Sequence, residues 1–168
     1  EGAATRRDPP GRRLLNGHAP DIPDRPAGQA NRRHRADLND TPEQAAFRAT
    51  TRAWLEAHKA QAPPRSGESD DPAYIDSRRA WQRQLAEAGL AGVTWPTEFG
   101  GQGLGPIENV IVGQEIGRAG VPGILDVIGV GMLGPTIIAH GSEEQKTRYL
   151  GPMLHGDEVW CQMFSEPG

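Results

Sequence analysis

The fold is decided by one stretch, "WPTEFGGQGLGPIENVIVGQEIGRAG", which runs from Trp95 to Gly120. Its first half is rich in glycine and proline, so it predicts a loop that is either flexible or held by its own side chains. Trp95 and Phe99 favour the ordered alternative, because large aromatic side chains are normally buried. Its second half predicts a helix from Pro106 to about Arg118, since proline is favoured at the first helical position. The residues expected on the buried face of this helix are Ile107, Val110, Ile111 and Gln114.

Two further helices are predicted before this stretch. Thr41 and Gln44 have the spacing of a capping box, Pro42 follows the cap, and the helix should end before Pro63. Asp71 is expected to cap the second helix, which ends near a glycine. The side chains at helical spacing are Phe47, Thr51, Trp54 and His58 on the first helix, and Tyr74, Arg78, Trp81, Leu85 and Ala88 on the second, with Gly89 at its end.

Two more helices are predicted after the stretch. Residues 123–141, "GILDVIGVGMLGPTIIAHG", are nearly uncharged, so a helix here should be buried on all sides. Each glycine inside a helix costs about 1 kcal/mol relative to alanine, so another helix or a ligand should pack closely against this backbone. Ser142 and Gln145 predict a capping box for a fifth helix, with Tyr149, Leu150 and Met153 on its apolar side.

The last residues, "EVWCQMFSEPG", predict a strand. Val159, Cys161 and Met163 alternate with Trp160, Gln162 and Phe164, as expected for the two faces of a strand. A lone strand is not stable, so we expect this one to begin a β-domain that the sequence does not include. Cys161 is expected to be a small buried apolar residue.

Composition excludes several classes of function. Residues 41–168 carry ten basic and sixteen acidic residues, which argues against binding to a phosphate backbone. The single cysteine excludes an internal disulfide and is typical of a reducing compartment such as the cytoplasm. No apolar run approaches the roughly 20 residues of a membrane span. The histidines lack the spacing of metal ligands, and "GGQGLG" lacks the strand and the lysine of a phosphate-binding loop.

Residues 1–40 form a separate compositional segment. They contain eight arginines, six acidic residues and five prolines, and their few apolar residues show no period. This pattern predicts a disordered tail. The arginines also leave a targeting peptide open, although the acidic residues and prolines argue against it.

The motifs occur together in an order that resembles the acyl-CoA dehydrogenase family. They are the Trp-Pro…Gly-Gly loop, the His-Gly-Ser-Glu-Glu-Gln-Lys helix start at residues 140–146 and the Ser-Glu-Pro-Gly corner at residues 165–168. The resemblance covers about residues 41–168. It implies an all-α N-terminal domain of about five helices at residues 41–156, followed at residues 157–168 by the first strand of a middle β-barrel domain.

The resemblance also implies a function. In this family FAD takes the β-hydride of an acyl-CoA thioester while a glutamate takes the α-proton, and electrons then pass to an electron-transfer flavoprotein. It implies cofactor-binding roles for Gln162, Met163, Phe164 and Ser165, and we place Val127, Val130 and Gly131 along the acyl pocket. No carboxylate of this sequence is assigned as the base, so this part alone should be inactive.

Three functions stay open from the sequence. Beside an acyl-CoA dehydrogenase that is a homo-oligomer at full length, the same helical domain is compatible with an acyl-CoA oxidase or a nitroalkane-oxidase-like relative. A non-catalytic helical interaction domain is the third. Downstream sequence and the oxygen reactivity of the reduced flavin would separate the first two.

Overall fold

The computed structural model describes residues 39–67 and 70–163. This part of the chain contains five α-helices, which confirms the predicted all-α domain. Their bounds are α1 Pro42–His58, α2 Pro72–Glu87, α3 Pro106–Ala119, α4 Gly134–His140 and α5 Glu143–Leu154. A π-helical turn, Gly129–Leu133, leads directly into α4, and short 3₁₀ turns occupy Lys59–Gln61 and Thr97–Phe99.

The helices begin where their capping residues predict. The Thr41 hydroxyl accepts from the backbone of Gln44, whose side chain accepts from the Thr41 backbone in return. Asp71 caps α2 through the backbone N–H of Ala73. Ser142 and Gln145 repeat the capping box at α5. Each cap satisfies donors that a helix N-terminus otherwise leaves unpaired.

The core lies between two pairs of helices. α1 packs on α3, while α5 packs on α4, on the π-helical turn and on α2. The largest buried apolar side chains are Trp81, Trp95, Leu55, Leu85, Ile111, Leu150, Met153 and Leu154. Their burial is the main contribution to the stability of the fold, about 1.5–3 kcal/mol for each large side chain.

The loop before α3 is ordered, as its aromatic residues predict. Trp95 is buried, and its indole N–H donates to the carbonyl oxygen of Val130 at 3.0 Å. The loop folds back on itself, because Gly103 N–H donates to the Trp95 carbonyl and Leu104 N–H donates to Val93. Gly101 lies so close to Trp95 that a Cβ there would meet the Trp95 carbonyl oxygen at 2.1 Å. Trp95 therefore organises the loop.

The predicted buried face of α3 is wrong by about a quarter turn. Ile107 and Val110 are each 53% exposed, whereas Val112 and Glu115 are buried together with Ile111. The reason is electrostatic: arginines of α1 bind the Glu115 carboxylate, so the acidic side of α3 faces α1. Apolar periodicity alone could not identify a buried acid as part of the face.

The prediction that the glycine-rich segment is buried on all sides is also wrong. Val127 is 61% exposed and Met132 is half exposed, although Val130 is buried. Close packing is found at two of the three glycines inside this segment. A Cβ on Gly134 would meet Cζ2 of Trp95 at 2.1 Å, and a Cβ on Gly129 would meet Oδ2 of Asp126 at 1.9 Å. A Cβ on Gly131 would have open space.

Residues Glu158–Met163 form neither a helix nor a paired strand. The strand therefore stays a prediction, since pairing needs a second strand and the described residues contain none. Cys161 is exposed, so its expected burial is wrong. Its neighbour Trp160 takes the partly buried position instead. The chain beyond Met163 lies outside the described residues.

Two other expectations concern the ends and the surface. The predicted tail falls outside the described residues except for Asn39 and Asp40, and the Asp40 carboxylate pairs with Arg48 at 2.5 Å. Within the described ranges, no helix combines the length and apolarity that crossing a bilayer requires.

Candidate cofactor and substrate site

A groove separates the π-helical turn from the segment that follows α5. It has a volume of about 230 Å³. Three of its lining residues, Trp160, Cys161 and Gln162, come from the segment, and the turn and α4 supply the opposite wall. The residues of that wall are Ile128, Met132, Leu133 and Thr136. The groove is therefore lined mainly by apolar side chains.

Trp160 divides this groove from a second cavity of about 350 Å³ between α4 and α5. The Trp160 ring meets Tyr149 edge to face, with ring centroids 5.4 Å apart. Leu133 and Thr136 line both cavities. The indole N–H of Trp160 is buried and has no hydrogen-bond partner within residues 39–67 and 70–163. Trp160 is thus the shared wall of both spaces.

The π-helical turn has a local cause in the sequence. Pro135 lacks a backbone N–H and cannot donate to the carbonyl four residues earlier. Just before it, Gly134 N–H donates to the carbonyl of Gly129, five residues back. The widened turn can press against the Trp95 ring because residue 134 is a glycine. Turns of this kind are frequent at functional sites.

Asp126 connects the turn to the segment beyond α5. Its Oδ1 accepts from Gly129 N–H at 2.8 Å and from Trp160 N–H at 3.2 Å. The side chain is buried, and Oδ2 has no hydrogen-bond partner among the residues that the structure describes. Burial raises the pKa of Asp126 above its usual value, and the two backbone N–H groups only partly oppose that shift.

Gln82 fixes the loop that carries Asp126. Its buried amide donates to the carbonyls of Met153 and Leu154 at 2.9 and 3.2 Å. Its Oε1 accepts from Leu125 N–H and Asp126 N–H at 2.8 and 2.9 Å. One side chain on α2 therefore joins the end of α5 to the start of the turn.

The structure brings together only part of the predicted site. Gln162 lines the groove, and Met163 is 89% exposed beside it in the chain. Phe164 and Ser165 lie outside the described residues. Of the predicted acyl-pocket residues, Val127 and Gly131 are exposed but do not line the groove, and Val130 is buried in the core. Ile128 and Met132 take the lining positions in this turn.

Sequence reasoning missed Asp126 and Gln82. A signal for Asp126 existed: it is the one acid in residues 123–141, and it precedes Gly129 by the three residues typical of a helix cap. No comparable signal marked Gln82, because its partners are backbone groups more than 40 residues away in the chain. In the described part of the chain, no cluster of three or more histidine, cysteine or acidic side chains is arranged to hold a metal.

Comparison with known proteins gives one consistent result. The family model described as "Acyl-CoA dehydrogenase, N-terminal domain" matches residues 41–157. Acyl-CoA dehydrogenase IpdE1 of Mycolicibacterium smegmatis is 38% identical over 125 residues, which are 72% of this chain and 32% of the relative. The chain thus spans about a third of the length of the relatives it matches.

Solved structures agree with the sequence match. A structure titled as the Tcur3481-Tcur3483 steroid ACAD has a TM-score of 0.55 and 32% identity, and the match covers 73% of this chain and 31% of that one. The ChsE4-ChsE5 complex from Mycobacterium tuberculosis has a TM-score of 0.55 and 26% identity, with 71% and 30% covered.

Proposed function

Because the chain belongs to the acyl-CoA dehydrogenase family, we propose that the whole protein is an FAD-dependent acyl-CoA dehydrogenase. The match of residues 41–157 to that family's N-terminal domain carries the proposal. When bound, FAD supplies the acceptor for the β-hydride of the acyl-CoA thioester. The residues described next provide one wall of the site.

The residues present fit one edge of a flavin. The groove wall formed by Ile128, Met132 and Leu133 is apolar, as the face of a flat aromatic ring requires. Gln162 places an exposed amide on the rim, where it can donate to a ring carbonyl or accept from a ring N–H. Cys161 and Met163 are exposed as well, so these side chains are not committed to the helical core.

Each residue has a limited role in this proposal. Gln162 and Met163 contact the ring, and by family resemblance Phe164 and the Ser165 hydroxyl continue that contact. Ile128 and Met132 keep water from the side of the ring nearest the turn. Val127 and Gly131, both exposed, are proposed to face the acyl chain. Val130 supports them from the core and also holds Trp95 through its carbonyl oxygen.

Assembly and electron transfer are part of the proposal. The titles of the two solved relatives each name two proteins in one structure. This supports the proposal that the whole protein works as an oligomer. We expect electrons to leave the reduced protein to an electron-transfer flavoprotein. The net negative charge of residues 41–168 and a single cysteine fit a soluble enzyme of a reducing compartment.

The test is cofactor content and turnover of the intact protein. We expect one FAD for each chain by absorbance, and bleaching of that absorbance by an acyl-CoA without oxygen. Rapid reoxidation by air would favour the oxidase alternative instead. A purified, folded protein without flavin that neither binds added FAD nor reacts with any acyl-CoA would refute the proposal.

A variant at Ser165 tests the assigned edge. Ser165→Ala should weaken FAD binding or slow flavin reduction by about tenfold, because it removes a hydrogen bond to a ring edge that gains negative charge on reduction. Ser142→Ala is a matched control, because it removes a hydroxyl that only caps α5. Equal flavin content and reduction rates in both variants would remove Ser165 from the site.

A further inference from the structure

Asp126 holds together two parts of the chain that the proposed function uses separately. One is the helical stretch that starts at Val127 and carries Ile128 and Met132. The other is the segment that begins at Trp160 and carries Gln162. The Oδ1 atom accepts from Gly129 N–H and from Trp160 N–H, 34 residues away. We propose that Asp126 is a positioning residue that sets the flavin-contacting segment against the groove wall.

The contact to Gly129 by itself has a local explanation. Asp126 occupies the position before the helical stretch that starts at Val127, and its carbonyl accepts from Val130 N–H. A side chain that accepts from the N–H three residues later is an ordinary helix cap. Serine performs the same role at other helices of this chain, for example at α5.

The contact to Trp160 goes beyond capping. This hydrogen bond joins Asp126 to Trp160, the first residue of the segment. Among the described residues, the segment has no paired strand that would fix its position. The Oδ1 atom of Asp126 lies two bonds beyond Cβ, one bond further than a serine hydroxyl, and there it accepts from both N–H groups. A capping serine would satisfy Gly129 and leave Trp160 N–H without its acceptor.

The burial of Asp126 suggests that its carboxylate has a purpose beyond capping. A buried carboxylate with one unpartnered oxygen is unfavourable, and an apolar or smaller residue would avoid that penalty. Gln82 further orients Asp126 by accepting from its backbone N–H at 2.9 Å. The position is therefore held rigidly from α2, and the acceptor is aimed at two donors at once. This inference rests on the proposed function for its flavin consequence, but the clamp itself can be measured without flavin.

The first measurement uses the unmodified chain. We expect the backbone amide of Trp160 to exchange with deuterium at least tenfold more slowly than the amides of Cys161 and Gln162, because a buried acceptor protects it. Exchange of Trp160 as fast as that of its two neighbours would overturn the clamp. This result needs no variant and does not depend on whether FAD binds.

The second measurement separates capping from clamping. Asp126→Ser keeps the cap and should increase the exchange rate of the Trp160 amide, followed by mass spectrometry, by about tenfold. Asp126→Asn keeps a carbonyl acceptor at Oδ1 and should restore slow exchange. Thr41→Ala is the control, since it weakens the cap of a different helix, α1, by about 1 kcal/mol.

The same variants in the intact protein test the consequence for the cofactor. We expect Asp126→Ser to weaken FAD binding by about tenfold and Asp126→Asn to bind nearly as well as the unmodified protein. Trp160 amide exchange and FAD affinity in Asp126→Ser that equal those of Thr41→Ala would overturn the inference, as would an Asn variant as defective as Ser. If the unmodified protein binds no FAD, the proposed function fails, while amide exchange still decides the clamp.

Discussion

Two regions of this domain are each built around a buried carboxylate, and the two carboxylates differ in every other respect. Glu115 lies between α1 and α3 and binds Arg48, Arg52 and Arg118 at 3.2, 2.8 and 2.8 Å. Asp126 lies just before the helical stretch that starts at Val127, and among the described residues its carboxylate has only backbone N–H groups as partners. The pKa of Glu115 is lowered to about 2, mainly by the Arg52 hydrogen bonds, whereas burial raises that of Asp126.

The difference separates a structural site from a positioning one. Glu115 is saturated with cations, so the ionised form is strongly preferred and clamps two helices. Asp126 is buried with one carboxylate oxygen unpartnered among the described residues, and burying a charge without full hydrogen bonding lowers the stability of the fold. Residues whose environment opposes stability are more often found where function requires them. The following predictions test this contrast, in order of decreasing effect.

Glu115→Gln should destabilise the domain by about 2–4 kcal/mol, measured by urea unfolding. The substitution leaves a buried amide facing three guanidinium groups, and breaking a buried ion pair on one side is strongly unfavourable. The loss of stability should stay below that of a fully buried ion pair, because Arg52 and Arg118 are half exposed and can be hydrated. A loss under about 0.5 kcal/mol would mean that the ion pairs of Glu115 contribute no more than exposed ion pairs do.

Gly134→Ala should destabilise the domain by about 1–3 kcal/mol, because the new methyl group would overlap the buried Trp95 ring. Gly131→Ala is its matched control three residues earlier. It has open space at the Cβ position, so it should be neutral or stabilise by about 0.5–1 kcal/mol through helix propensity. Thermal unfolding of the pair measures both. Equal behaviour would show that the turn can move away from Trp95.

Acid should unfold the domain through Glu115. The folded-state pKa of Glu115 lies below the ordinary glutamate value of 4.5, so the stabilisation is fully present above pH 4.5 and is lost as the pH falls toward about 2. Unfolding free energies measured between pH 6 and pH 2 should therefore decrease across that window. In Glu115→Gln the decrease should be smaller, and a curve parallel to that of the unmodified chain would contradict the assignment.

Asp126→Asn should have the smallest effect on stability, and the effect should be neutral or favourable at pH 7. The folded-state pKa of Asp126 is raised, so its ionised form opposes folding above the unfolded pKa, and a neutral amide removes that opposition. Differential scanning calorimetry at pH 7 measures the change. A clear fall in Tm would show that the Asp126 charge is stabilised after all, which would end the contrast with Glu115.

Much of the fold could be predicted because its signals are local. Thr41, Asp71 and Ser142 each mark the start of a helix within four residues of the groups they bind, and the aromatic residues of the loop at Trp95 predict its order. The face of α3 and the position of Cys161 were predicted wrongly. Both depend on contacts with distant parts of the chain, and a single periodicity does not contain that information.

The sequence by itself determined the helices, their starts and the family, because capping, proline and apolar spacing act over a few residues. Only the tertiary structure decided which acids matter. Glu115 and Asp126 are both ordinary carboxylates in the sequence. The pKa of Glu115 is lowered first by an arginine of α1, 63 residues away, whereas the pKa of Asp126 is raised by burial. Electrostatic energy depends on distance and burial in space, and the chain acquires both only on folding.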